Sequence, residues 1–408
     1  MSAADSELEE VWTPSACDMT RRTGSKIESS LDMMGSTCQE PIMRLYSHCR
    51  VICLLLVLSI ASRCQQLPAD DQTAKYLPVV AVKAAFLKQL DRPRVPLYPL
   101  TNGETSDGSG FIQEVISIVS ERKADGTSVR VPILIVRPEK VTGKLPAVIV
   151  LHGTGGTKEG QRWFLFDLAK RGIIGVAIDA RYHGDRSTTS GSQAYIAAIT
   201  RAWKTPQGQP QEHPFYYDTC WDLWRTIDYL QTRLDIDGNR LGMIGFSMGG
   251  IQTWLAASVD DRIKVAVPAI AVQSFRWSLE HEAWQGRART IQAAHLAAAA
   301  DLGEPQVNAR VCRELWNKVI PGMLDQFDCP SMLRLFAGRP LLIINGELDP
   351  NCPLEGAKLA FSSAEAAYRE AKCLDKLKIM VAPKTAHKVT DEQRQAALDW
   401  LAKWLATK

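Results

Sequence analysis

Leu241-Gly242-Met243-Ile244-Gly245-Phe246-Ser247-Met248-Gly249-Gly250 reads as a short apolar strand, a very tight turn with Ser247 at its apex, and a helix opening at Ile251. A serine held there projects from the end of a sheet, where its Oγ can reach a carbonyl carbon. Such a turn strains the backbone at the serine, so its neighbours two residues away must be tiny. Gly245 and Gly249 fill those places, and Gly250 lets the helix lie close to its strand. At average glycine usage, and with serine taken as similar, a chain this long meets G-x-S-x-G by chance roughly one time in eight. The flanking sequence must decide.

Working outward, apolar runs alternate with amphipathic stretches. Ala147 to Leu151, Ile173 to Ile178, Lys264 to Ala271, Pro340 to Asn345 and Leu377 to Val381 are continuous apolar runs of the kind that fill strands buried on both faces. Gly160 to Arg171, Tyr217 to Arg233 and Thr390 to Leu405 carry helical spacing, as does Ala81 to Leu90 near the start. Phe111 to Val119 and Val129 to Val136 flank the turn signal Ala124-Asp125-Gly126 and predict an antiparallel hairpin. Thr101 to Gly110 reads as a polar link. The alternation predicts an α/β fold, a mostly parallel sheet covered on both faces. Two stretches break it: Ser187 to Pro214, polar and rich in turn residues, and Gln273 to Gly338, largely helical. Both follow strand ends, where open α/β sheets build their ligand crevice. The second, about 272–338, is read as a helical cap.

A serine nucleophile needs a histidine to take its proton and a carboxylate to orient that histidine. Of seven histidines, only His387 follows the last strand, in Ala382-Pro-Lys-Thr-Ala-His387. Asp349 follows the preceding strand in Gly346-Glu-Leu-Asp-Pro-Asn-Cys-Pro353, and Glu347 is the rival acid. Asp349 is preferred because it stands further into the loop, clear of the strand. The order serine, acid, histidine is one of three in which this constellation occurs. Two backbone N–H groups should face the developing oxyanion. Met248 supplies one, and the glycine-rich loop His152-Gly-Thr-Gly-Gly156 supplies the other through Thr154 or Gly153. His152 is read as a brace for that loop. No G-K-[ST] follows, and Lys158 stands where a dinucleotide fingerprint wants its last glycine, so no nucleotide cofactor is implied. No H-E-x-x-H or comparable metal spacing occurs.

Asp179-Ala-Arg-Tyr-His-Gly-Asp-Arg186 is placed to order the cap by Arg–carboxylate pairing or to line the pocket floor. Trp203, Phe215, Tyr216, Tyr217, Trp277 and Trp284 lie in or beside the two insertions and are candidates for shaping a substrate pocket.

Composition narrows the class. The 408 residues carry a net charge of +3 with 46% hydrophobic residues, and no Lys/Arg block suggests nucleic-acid binding. Ten cysteines without C-x-x-C pairs suggest neither a zinc site nor a disulfide framework, and the five from Cys220 onward read as free buried thiols. Residues 1–70 form a separate tract, polar and acidic at first, with no sustained period, and are expected to be a disordered leader. Its apolar segment, 51–61, is short of the ~20 residues a membrane span needs, but it suits a secretory or organellar signal. Translation from Met43 would make Met43 to Cys64 a plain secretory signal. Residues 71–408 are expected to form one domain.

From Phe111 to Leu405 the chain resembles the α/β-hydrolases, and is most similar to their dienelactone-hydrolase-like and prolyl-oligopeptidase-like esterase branch. Gly245-Phe-Ser-Met-Gly249, His152-Gly-Thr-Gly-Gly156, Asp179-Ala-Arg-Tyr-His-Gly184, Gly346-Glu-Leu-Asp349 and His387 match the family's motifs in its order. The resemblance implies an eight-stranded, mostly parallel sheet and two-step acyl transfer, in which Ser247 is acylated and water then releases the acid. The expected substrate is a small-molecule carboxylic ester. Dienelactone hydrolase proper uses a cysteine nucleophile where this chain has Ser247, which favours ordinary ester hydrolysis. The alternatives are a serine peptidase or amidase of the same fold, and a ligand receptor on this fold that performs no turnover.

Overall fold

The computed structural model describes residues 76–106 and 108–406. The tract 1–70, with its signal-like segment, lies outside the described residues. Among the described residues nine strands make one sheet: β1 (Leu100–Ser106), β2 (Phe111–Arg122), β3 (Ser128–Pro138), β4 (Leu145–Leu151), β5 (Ile174–Ile178), β6 (Ile236–Phe246), β7 (Ile263–Ala269), β8 (Leu341–Gly346) and β9 (Leu377–Ala382). Their order is β1-β2-β3-β5-β4-β6-β7-β8-β9. From β5 to β9 every pairing is parallel, while β1, β2 and β3 pair antiparallel, β3 doing so with β5 as well.

The expected count of eight strands is therefore corrected to nine. The additional strand is β1, within the stretch read as a polar link. Every residue of β1 is exposed, so no apolar alternation betrays it. Its pairing with β2, from Leu100 opposite Ser117 to Ser106 opposite Ile112, rests on main-chain hydrogen bonding at a sheet edge. The hairpin behaves as the turn signal dictates: Gly126, at φ 85°, closes it by donating its N–H to the Lys123 carbonyl at 2.9 Å.

Two cores cover the central strands. Along β4, Ala147, Ile149 and Leu151 face one core while Val148 and Val150 face the other, the period of two expected of a strand buried on both sides. The larger core takes α1 (Val79–Gln89), α4 (Tyr217–Leu230) and α5 (Met248–Val259); the smaller takes α2 (Arg162–Ala169) and α12 (Asp391–Leu405). α3 (Gln193–Lys204) arises within the first polar insertion. Between β7 and β8 stand α6 (Phe275–Glu280), α7 (Gln285–Arg289), α8 (Gln292–Asp301), α9 (Ala309–Val319) and α10 (Cys329–Leu333), and α11 (Leu354–Glu370) joins β8 to β9. No helix among the described residues is long and apolar enough to cross a membrane.

Parallel strands place their C-terminal ends together. The turns after β4, β6, β7, β8 and β9 therefore converge on one edge of the sheet, where a ligand crevice forms in such folds. α12 is pinned to that edge. Thr390 and Gln393 form a reciprocal capping box, and Gln393 Nε2 also donates to the carbonyls of Asn345 (2.9 Å) and Met380 (3.3 Å). The loop from Pro383 to Val389 is thus anchored at both ends.

Candidate active site

Ser247 sits between β6 and α5 with φ 53° and ψ −114°, a conformation costly for any residue with a Cβ. The surroundings hold it there. Its N–H donates to the Ala269 carbonyl of β7 (2.9 Å), and its own carbonyl accepts from Ile251 (3.0 Å), the first turn of α5. The flanking glycines permit this close approach. A Cβ at Gly245 would lie 2.1 Å from the Gly249 carbonyl oxygen, one at Gly249 would lie 2.6 Å from Leu151 O, and one at Gly250 would lie 2.5 Å from the Ala271 Cβ. The elbow is sterically closed to anything but glycine.

Three side chains meet at this turn. His387 Nε2 is 2.7 Å from Ser247 Oγ, and its Nδ1 is 2.7 Å from Asp349 Oδ2. With the carboxylate ionised, Nδ1–H donates to Asp349 and Nε2 is left to accept the serine proton. Asp349 is 2% exposed, and its second oxygen accepts from the N–H groups of Asn351 (2.8 Å) and Cys352 (3.2 Å). Glu347, the rival acid, is exposed and accepts instead from the Lys384 N–H at 2.7 Å. It braces the histidine loop against the acid loop, which also meet through Leu348 N–H and the Thr385 carbonyl (2.8 Å).

The loop after β4 lies against the serine. A Cβ on Gly153 would be 3.5 Å from Ser247 Cβ, in ordinary contact. Gly156 donates to the Gly153 carbonyl (3.0 Å), making a tight turn with Thr154 and Gly155 at its crest. His152 Nδ1 is 2.7 Å from the same carbonyl, while its Nε2 accepts from the Ala180 N–H at 3.1 Å. Both ring nitrogens are thereby used, and burial pushes its pKa down to about 4. His152 is a neutral brace. Met248 opens α5, so its N–H has no acceptor within the helix and stands at the positive end of the helix dipole.

Beneath this loop is a buried ionic frame. Lys158 Nζ contacts Asp179 (2.8 Å), Asp185 (2.7 Å) and Glu159 (2.7 Å), and its N–H also binds Asp179 (2.8 Å). Arg181 forks onto Asp222 of α4 (2.7 and 3.0 Å), and Arg186 reaches the same carboxylate at 2.8 Å. The expected pairing of Asp179–Arg186 with the 272–338 insertion is replaced by pairing with α4 and the glycine-rich loop. The aromatic candidates divide. Phe215 and Tyr216 stack at 4.0 Å in the core, Tyr216 at φ 76°, whereas Tyr217 donates to the Pro321 carbonyl (3.0 Å) and Trp203 to Asp301 (2.9 Å). Trp277 stacks on His281 and Trp284 donates to Glu282 (2.9 Å), both within the insertion.

Two residues in contact at the acid turn were not singled out by sequence reasoning. Cys352 lies in the acid turn, and Arg287 of α7 donates to the Asn351 carbonyl at 3.0 Å. A lone arginine in a short helix carries no signal in spacing that would pick it out. Asp349, Cys352 and His387 also bring ligand atoms within 4.8 Å of one another. The donors of that group are already engaged: the thiol, pushed up by burial, donates to the Ile270 carbonyl (3.3 Å), and both imidazole nitrogens are taken. The set is a poor fit to a metal ion. Cys220, Cys312, Cys329, Cys352 and Cys373 are free and buried.

A strained serine elbow on a doubly covered, mostly parallel sheet defines the architecture of a hydrolase-type α/β protein. A sequence model of the alpha/beta hydrolase family matches residues 148–399, and the chain belongs to that family. Among individual proteins, Bacillus subtilis YtaP, named a hydrolase, is 26% identical over 289 residues, covering 68% of this chain and 84% of that one. Bacillus subtilis YitV, named an esterase, is 24% identical over 284 residues, covering 67% and 96%. Acetyl xylan esterase 1 from Thermoanaerobacterium sp. superposes with a TM-score of 0.56 at 17% identity, covering 81% of this chain and 96% of that one. A glucuronoyl esterase from Solibacter usitatus gives 0.55 at 15% identity, covering 80% and 92%. At these identities the structural likeness is one of fold.

Proposed function

We propose that the protein is a serine hydrolase that cleaves a carboxylic ester through an acyl-enzyme. The observation that carries this reading is the chain Ser247 Oγ, His387 Nε2, His387 Nδ1, Asp349 Oδ2, with 2.7 Å at each of its two hydrogen bonds. Ser247 attacks the ester carbonyl as His387 accepts its proton, and the resulting imidazolium is held by Asp349. The Met248 N–H and the Thr154 or Gly153 N–H stabilise the oxyanion. His387 then protonates the leaving alcohol. Water, deprotonated by the same imidazole, attacks the acyl-serine and frees the acid. Residues 272–338 act as a cap over this edge, a role supported by the packing of α7 against the acid turn. The esterase names of YitV and of the two fold relatives favour an ester over an amide, and those of the fold relatives favour a carbohydrate ester.

The test is hydrolysis of p-nitrophenyl acetate and of an acetylated sugar by the wild type and by Ser247→Ala. Turnover in the wild type that falls by ~10⁴-fold or more in the variant is expected. Equal rates in the two proteins, or turnover of a p-nitroanilide in preference to the ester, would refute the reading.

A further inference from the structure

Arg287 is 2% exposed, and no carboxylate among the described residues is hydrogen-bonded to it. Buried guanidinium groups are normally paired. Of the other buried arginines, Arg181 and Arg225 meet carboxylates, while Arg334 reaches the Leu77 carbonyl and the Tyr76 ring. Arg287 instead spends Nη2 on the Asn351 carbonyl (3.0 Å) and the Cys352 sulfur (3.6 Å), lies 5.7 Å from the centre of the Phe275 ring, and leaves Nε without a partner. Its neighbour Gly286 is pressed onto the same turn: a Cβ there would stand 1.9 Å from the Pro350 carbonyl oxygen. α7 therefore grips three consecutive residues, Pro350, Asn351 and Cys352. The amides of the last two are those that hold Asp349 Oδ1.

We propose that Arg287 is a positioning residue of the triad, acting from the insertion through the Asp349 turn. This inference rests on the esterase reading above. The grip fixes the carboxylate that orients His387, so the seating of α7 and the competence of the triad are coupled. The guanidinium also contributes its charge. The groups that face it are the Tyr216 and Tyr195 phenols, the Cys352 thiol and the Asp349 carboxylate. Burial pushes Tyr216 up to about 12 and raises Tyr195 and Cys352, so these three face the guanidinium as neutral groups. His387 faces Asp349, Ser247 and the Cys352 sulfur, with Glu347 and Lys384 bracing its loop.

Full-length Arg287→Met and Arg287→Lys test this, with kcat and KM for p-nitrophenyl acetate followed from pH 5 to 9. In Arg287→Met, kcat should fall by roughly 10- to 100-fold with KM within about threefold, because a carboxylate displaced by ~1 Å costs that much. Arg287→Lys keeps the charge and should recover part of kcat with KM again little changed. A folded Arg287→Met with kcat within twofold of wild type, or a loss carried by KM, overturns the proposal. If Arg287→Met does not fold, Gly286→Ala decides. It keeps the guanidinium but drives α7 off Pro350, so kcat should fall, and a wild-type kcat would overturn the coupling. A wild type that turns over no ester is a different failure: it removes the esterase reading, and this inference with it.

Discussion

Gly249→Ala probes the contact between the nucleophile elbow and the loop after β4 most directly. The added Cβ would stand 2.6 Å from Leu151 Cβ and Leu151 O and 2.7 Å from His152 O. Ordinary contact begins near 3.4 Å, so the elbow and the end of β4 must part by about 0.8 Å. The atoms in the way are mostly backbone of a central strand and cannot swing aside as a flexible side chain would. Overpacking of this kind costs about 1–3 kcal/mol, which lowers Tm by roughly 2–12 °C at about 2–4 °C per kcal/mol. The separation falls between Ser247 and the Gly153–Gly156 turn, the two components that address one carbonyl in the proposed reaction. A misplacement near 1 Å costs on the order of 10²-fold in rate. The expected result is kcat/KM for p-nitrophenyl acetate down about 100-fold, most of it in kcat, in a protein that still melts cooperatively. Activity within twofold of wild type would refute the claim that the loop and the elbow are a single rigid unit.

Further outcomes follow from buried charge. Lys158→Met strands Asp179, whose side chain is fully buried, and should cost about 3–5 kcal/mol; a Tm within 2 °C or so of wild type would remove the ionic frame as a support of the loop. Burial pushes His152, His183 and His295 down to about 4. A folded pKa below the unfolded ~6.5 means that the unfolded chain binds more protons between those values, so stability is full above pH 6.5 and is lost as pH falls toward 4. Asp328, raised to about 6 by burial, works the other way in part of that window. About two net protons remain below pH 6, or roughly 2.7 kcal/mol lost per pH unit. Thermal melts from pH 7 to 4 would show it, and a flat Tm would contradict the assignment of neutral buried imidazoles.

Much of this architecture was legible because the physics is local. The elbow announces itself: a strained serine at φ 53° leaves no room for a Cβ at 245, 249 or 250, so three glycines are written into the chain. The core strands show as continuous apolar runs since both faces are buried, and the candidate triad shows as polar residues placed just past them. β1 was illegible because an exposed edge strand is held by backbone groups that every residue owns. Asp179–Arg186 looked like a partner for the insertion because charge alone does not say which carboxylate an arginine will meet; Asp222, buried in the middle of α4, could be located only in three dimensions. Arg287 was hidden for the same reason. Its significance lies in which turn it touches, a relation between residues about sixty positions apart.

The central claim is that Ser247 is the nucleophile, activated by His387 and Asp349. Its most direct test is treatment of the full-length protein with a fluorophosphonate, followed by peptide mapping of the adduct. A single stoichiometric adduct on Ser247, formed by the wild type and slowed by orders of magnitude in His387→Ala, is the result expected. A folded wild-type protein that gains no adduct, or carries it on another residue, would contradict the account.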